Sequence, residues 1–260
     1  MTPSPMAVDR RLRLRSLVLP GLLTLAALAV LLSLGFWQLG RLGWKQALIA
    51  QVEARAAAEP VPLPASGQWP AMSAAADDYR RVRLTGTFRH GLESYLYHVA
   101  GDSRNTDRSR PQGQGYFVMT PLDLQGGGTV IVNRGFVPLD RRDPATRAEG
   151  QIMGPVTVTG LIRFPEARGL FAASDDPGGR IFYTRDIAAM ARAMDLRGTV
   201  AAFSVDADAT PVPGGLPIGG ETRLTFANRH LEYALTWFGL ALTLIGVFAA
   251  FAVQRLRGSS

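Results

Sequence analysis

Charged residues disappear from the chain in two places. From Ser16 to Gly40, 25 residues pass without a charge, and from Tyr233 to Gln254 another 22 do so. At about 1.5 Å of rise per residue these reach about 37 and 33 Å, against a hydrocarbon core about 30 Å thick. Each stretch predicts a membrane-spanning helix. The first helix is expected to continue to Arg55, with Trp44, Leu48 and Val52 on one stripe and Lys45 and Glu53 toward water. Pro60, Pro62, Pro64 and Pro70 then mark a linker.

From Tyr79 the apolar period changes from helical to two. Val82, Leu84 and Phe88 alternate with Arg81, Arg83, Thr85 and Thr87, and Ser94–Ala100 puts Tyr95, Tyr97 and Val99 on one side. A polar loop from Gly101 to Gln114 carries Asp102, Arg104, Asp107, Arg108 and Arg110. Gly115–Pro121 and Thr129–Val137 flank Gly126-Gly127-Gly128 and read as a hairpin. Val156–Phe164 and Thr199–Val205 predict further strands, and a short helix is expected after Ile181–Thr184. Ile187, Met190, Ala191 and Met194 predict a short helix that Thr184 or Asp186 caps. Pro211–Gly220, with three prolines and four glycines, leads back to the second apolar run.

The expected architecture is therefore two transmembrane helices flanking a mainly antiparallel β-rich (α+β) extracytoplasmic domain. Its parts are an N-terminus over 1–15, a first span over 16–40, the β-rich domain over 41–232, a second span over 233–254 and a tail over 255–260. The 192 residues between the spans are ample for a packed core.

Charge fixes the expected orientation. Arg10, Arg11, Arg13 and Arg15 against Asp9 give +3 before the first span, and Arg255 with Arg257 gives +2 after the second. By the positive-inside rule both termini are cytoplasmic and the central domain lies outside. The net charge of +7 would otherwise suggest nucleic acid, but most of it belongs to these flanks, which excludes that partner and leaves membrane lipid. The first run is too long for a cleaved signal peptide and lacks a small-x-small site, so an uncleaved anchor in a bacterial plasma membrane is expected. A mitochondrial inner membrane fits the proline-containing N-terminus less well. The chain has no cysteine, hence no disulfide, thiol nucleophile or thiolate metal site.

At the membrane boundary His230, Tyr233, Ala234 and Trp237 stand at helical i, i+3, i+4 and i+7 spacing. Trp37 and Arg41, i and i+4 on helix one, are expected at the same level. Neutral imidazole binds iron, and Arg41 or Arg229 has the fork geometry for carboxylates. The alternatives are an aromatic belt for Trp37, Tyr233 and Trp237, a snorkelling Arg41, and a helix-end hydrogen bond for His230. His90 and His98 read as structural or surface residues, with His98 facing away from Tyr95, Tyr97 and Val99. Arg134 in Asn133-Arg134-Gly135 reads as a turn residue with a local ion pair. No P-loop, dinucleotide fingerprint or nucleophile elbow is present, and no Ser/His/Asp spacing argues for a triad. No enzyme is expected.

Several motifs resemble the Surfeit locus protein one family of cytochrome c oxidase assembly factors. They are Gly35-Phe36-Trp37-Gln38-Leu39-Gly40-Arg41, Tyr79-Arg80-Arg81-Val82, Val132-Asn133-Arg134-Gly135-Phe136-Val137-Pro138, and Asn228 followed by His230-Leu231-Glu232-Tyr233-Ala234-Leu235-Thr236-Trp237-Phe238-Gly239. The resemblance implies a role in maturing the haem-copper oxidase. In some bacterial members it implies binding of haem a, with the second-helix histidine, here His230, as iron ligand; the helix spacing above adds Trp37, Arg41, Tyr233 and Trp237 as its expected support. Expected partners are the oxidase catalytic subunit and haem a synthase. The alternative is a membrane-anchored scaffold that stabilises an oxidase intermediate without haem.

Overall fold

The computed structural model describes residues 5–101, 112–222, 226 and 228–257, with side chains from Ser16 onward. The charges of the polar loop expected after Gly101 lie outside the described residues. The chain divides into two compact units, one of residues 1–51 with 225–260 and one of residues 52–224.

The first unit is a helix pair. Helix α1 runs Pro5–Ala57 and α4 runs His230–Arg257. By length and composition, Ser16–Ala57 and all of α4 suffice to cross a membrane. Most of their Leu, Val and Phe side chains face outward; Leu242 is 72% exposed. The seam between them is made of small residues. Ala234 and Ala241 are buried, and a Cβ added at Gly35 would stand 2.5 Å from the Phe238 ring. Phe36 meets the same ring edge-on at 5.4 Å. Close backbone approach through Gly and Ala is how helices associate where apolar burial from water supplies no drive.

The second unit is a small barrel with appendages. Its strands are β1 (Val61–Pro62), β2 (Arg81–Phe88), β3 (Ser94–Ala100), β4 (Gly113–Leu124), β5 (Thr129–Pro138), β6 (Pro155–Arg163), β7 (Ile181–Phe182) and β8 (Val200–Ala207). Going round, β2 pairs with β6, β6 with β8, β8 with β5, and β5 with β4. The twelve-residue β4 then meets β2 again, Gly86–Phe88 against Leu124–Leu122, which closes a ring of five strands. Gly86 makes that closure possible, since a Cβ there would collide with the carbonyl oxygen of Asp123. Five pairings are antiparallel; β1–β2, β3–β7 and β5–β8 are parallel. The barrel is filled from every strand by Val82, Leu84, Leu122, Val130, Val132, Ile162 and Phe203, with Trp69 packed against them. Outside it, after the one-turn α2 (Ala74–Asp77), α3 (Ile187–Ala193) lays Ile187 and Met190, with Met194 beyond its end, on Met119, Ile131, Phe136 and Phe182. Thr129–Val137 of β5 is therefore buried throughout.

Several expectations change. The proline segment is not a free linker: Val61–Pro62 adds an edge strand to β2, and Trp69 is buried. Proline is tolerated there because an edge strand need not donate on both sides. On β3, Leu96 and Ala100 pack in the α3 cluster, while on the other side Tyr95 is buried and Val99 exposed. The stripe on α1 is also not buried as a unit. Trp44 and Leu48 are exposed, and only Val52 is covered. Beyond it, in the β unit, Arg55 donates to the carbonyls of Ala75 (3.0 Å) and Asp78 (3.4 Å). Asp186, not Thr184, caps α3, accepting from the Ala189 N–H at 2.8 Å.

Gly135 is the tightest point of the barrel wall. Its φ is +126°, and a Cβ would strike the Ile218 carbonyl, just where Phe136 and Ile218 exchange N–H···O bonds of 2.8 and 2.9 Å. Gly135→Ala is expected to destabilise the β unit by roughly 3 kcal/mol, from backbone strain together with the collision. A thermal melt checks the size, and faster amide exchange at Phe136 and Ile218 checks the place.

Candidate functional site

The first residues of α4 carry the histidine. The Arg229 carbonyl accepts the first helical bond, from Tyr233 at 3.2 Å, and the Asn228 side chain accepts from the His230 N–H at 3.4 Å. An asparagine oxygen meets one of the helix-start donors that have no partner within the helix. His230 is half-buried, and its Nδ1 lies 2.7 Å from Oε1 of Gln38 on α1. Among the described residues its Nε2 makes no hydrogen bond.

The other expected site residues are distributed differently. Trp37 is one residue, about 100° of helix rotation, from Gln38, and it is 58% exposed. Arg41 lies over the Trp44 ring at 4.6 Å. On α4, Tyr233 is exposed and Trp237 half-buried. The α1 residue that touches His230 is thus Gln38, one turn from Gly35. Two signals in the sequence pointed to it: a polar residue inside an apolar run, and a small residue three positions earlier.

This donor set suits a single axial bond and not a multi-ligand cation. Among the described residues no group of three or more His, Asp or Glu side chains could hold a metal ion. One imidazole whose Nε2 has no partner among the described residues, with aromatic rings on the same two helices and Arg229 next in sequence, fits a flat apolar ring bearing carboxylates and iron.

In the β unit a second polar centre is built around Glu93, which is buried together with Arg134 and Arg147. Arg147 contacts both carboxylate oxygens, at 3.2 and 2.5 Å, and Arg134 reaches one at 3.1 Å. Arg134 also donates to the Gly150 carbonyl. His90 lies between, with Nδ1 3.2 Å from Arg134 and 3.9 Å from Glu93, while Nε2 donates to the Ile152 carbonyl at 2.9 Å. Burial pushes the Glu93 carboxyl up, but His90, Arg147 and Arg134 outweigh it and hold its pKa at about 2. The Arg134 guanidinium is brought down to about 10 by burial and by the neighbouring Arg147. Arg134 is therefore no turn residue with a local partner. It sits within β5, and its carboxylate is 41 positions away. A cavity of about 550 Å³ opens beside this network, with His90, Glu93, Tyr95, Gln151 and Arg180 in its wall.

His98 faces the core side of β3, away from Tyr97, and stacks on Phe117 at 4.0 Å; both expectations for it hold. A further buried pair, Arg185 with Asp206 at 2.7 and 3.1 Å, joins the start of α3 to β8.

A family model described as the SURF1 family matches residues 25–242. Among curated relatives, Surfeit locus protein 1 of Rattus norvegicus is 38% identical over 218 residues, covering 82% of this chain and 69% of the relative. The Homo sapiens protein of that name is 40% identical over 218 residues, covering 80% and 69%. The Takifugu rubripes protein is 38% identical over 237 residues, covering 88% and 95%.

Proposed function

Since this chain belongs to the SURF1 family, we propose that it is an assembly factor for cytochrome c oxidase that binds haem a through His230 and assists its delivery to the catalytic subunit. The observation that carries the reading is the His230 ring, tied to Gln38 through Nδ1, with no partner at Nε2 among the described residues. Bound haem a would supply iron that accepts an imidazole nitrogen, together with carboxylate tails. His230 would hold the iron. Trp37, Tyr233 and Trp237 give apolar rings at the same boundary, and Arg229 and Arg41 give guanidinium groups for the tails. Stacking on Trp44 uses the flat face of Arg41, so its N–H edge stays available.

The two apolar helices anchor the chain in a bacterial plasma membrane, with both termini in the cytoplasm and the β unit outside. Membrane lipid is thus a constant partner, and haem a synthase is the source of the cofactor. The protein catalyses no reaction; it holds a cofactor and releases it. Detergent-purified protein from cells that make haem a is expected to carry about one haem a per chain by pyridine haemochrome assay, the amount a single axial histidine implies. A colourless preparation that still crosslinks to the oxidase subunit would favour a second reading, a scaffold without haem. The size of the β unit, far beyond what one ligand needs, is the observation behind that reading.

A further inference from the structure

The bond between Gln38 and His230 constrains more than position. The Gln38 atom at 2.7 Å from Nδ1 is the amide oxygen, which can only accept. Nδ1 must therefore carry the imidazole proton, and in the neutral ring Nε2 is then left with a bare lone pair. Among the described residues nothing hydrogen-bonds to that second nitrogen. Gln38 reaches the ring from the helix face that also carries Gly35, where α1 and α4 approach closest. The histidine's own helix start, capped through Asn228, fixes the other end.

We infer that Gln38 is a positioning residue that holds the proton on Nδ1 of His230, sets the rotation of the ring, and so presents Nε2 as the metal-binding atom. This rests on the reading of His230 as an iron ligand. A side chain that accepts from the far ring nitrogen is the usual way a protein orients a ligating histidine and raises its basicity. Here that acceptor is a neutral amide from the neighbouring helix, so the ligand is oriented only while the two helices are packed.

The test begins without haem. In the full-length protein in detergent, with ¹⁵N-labelled histidine, the His230 resonances identified by their loss in His230→Ala should report a protonated Nδ1 and an unprotonated Nε2. Gln38→Leu should shift the ring toward the opposite tautomer, and Gln38→Glu, which keeps an acceptor, should retain the wild-type one. With haem a added, Gln38→Leu should bind about 10- to 100-fold more weakly, as loss of such a supporting acceptor typically does. Gln38→Glu should stay near wild-type affinity and lower the midpoint potential. A wild-type ring protonated on Nε2 would overturn the inference, because the Gln38 amide would then be donating to Nδ1. So would a Gln38→Leu protein with unchanged tautomer. The wild-type tautomer as stated, in a protein that takes up no haem, would uphold the role of Gln38 on the ring and remove the haem reading instead.

Discussion

Glu93→Gln is expected to lower the thermal midpoint of the β unit by roughly 6–20 °C. Removing one partner of a buried ion pair costs about 3–5 kcal/mol, since a charge is left in the interior without its counter-charge. For a domain of this size each kcal/mol is worth about 2–4 °C. Glu93 answers two buried guanidinium groups at once, so the loss belongs at the upper part of that range. Replacing all three residues together, Glu93→Leu with Arg134→Met and Arg147→Met, should recover much of it, because an apolar trio has no unpaired charge. Circular dichroism melts in detergent check both. A Glu93→Gln protein melting within about 2 °C of wild type, under 1 kcal/mol on the same scale, would mean that the network is solvated rather than buried.

The same carboxylate gives a pH dependence of known sign. Its folded pKa, about 2, lies below the ordinary value of 4.5. The unfolded chain therefore binds this proton first as pH falls. The stabilisation is fully present above about pH 4.5 and is lost between there and about pH 2. In Glu93→Gln that part of the acid transition should be absent.

The periodicity in the sequence located α1, α3, α4, the hairpin and the longer strands, because those depend on local alternation; the two-residue strands β1 and β7 were not legible. Gly126-Gly127-Gly128 marked the β4–β5 turn without help from the rest of the chain. What it could not locate was anything that needed a distant partner. Arg134 looked like a turn residue because Asn-Arg-Gly is turn-forming composition. Its true partner is Glu93, and the left-handed glycine beside it lies in a strand wall, not in a turn. On β3 the alternation gave two sides but not which of them is covered: Leu96 and Ala100 pack in the α3 cluster, and His98 stacks on Phe117. The closure of the barrel was equally hidden, since it depends on three residues at the end of β4 turning back to β2.

At the helix pair, the sequence pointed to His230 and to the end of α1, but it did not single out Gln38, the side chain whose amide oxygen meets the ring. Trp37 and Arg41 drew attention as the chemically richer residues. A helix presents only one side to its neighbour, and here Gly35 decides which side, because the closest approach needs the smallest residue. Gln38 follows from Gly35 by helical geometry, and the rings of Trp37 and Trp44 then fall on outward faces. Outward aromatic rings serve a membrane boundary and a porphyrin edge alike, so the imidazole is the residue that separates the two.

The direct test is therefore a spectrum. The full-length protein, produced with haem a synthesis and purified in detergent, is compared with His230→Gly, and the variant is then titrated with free imidazole. A protein that ligates iron through this ring should lose or shift its Soret and alpha bands on substitution and regain them as imidazole fills the vacated space. Soret and alpha bands that are the same in His230→Gly as in wild type, before and after imidazole, would contradict His230 as the ligand.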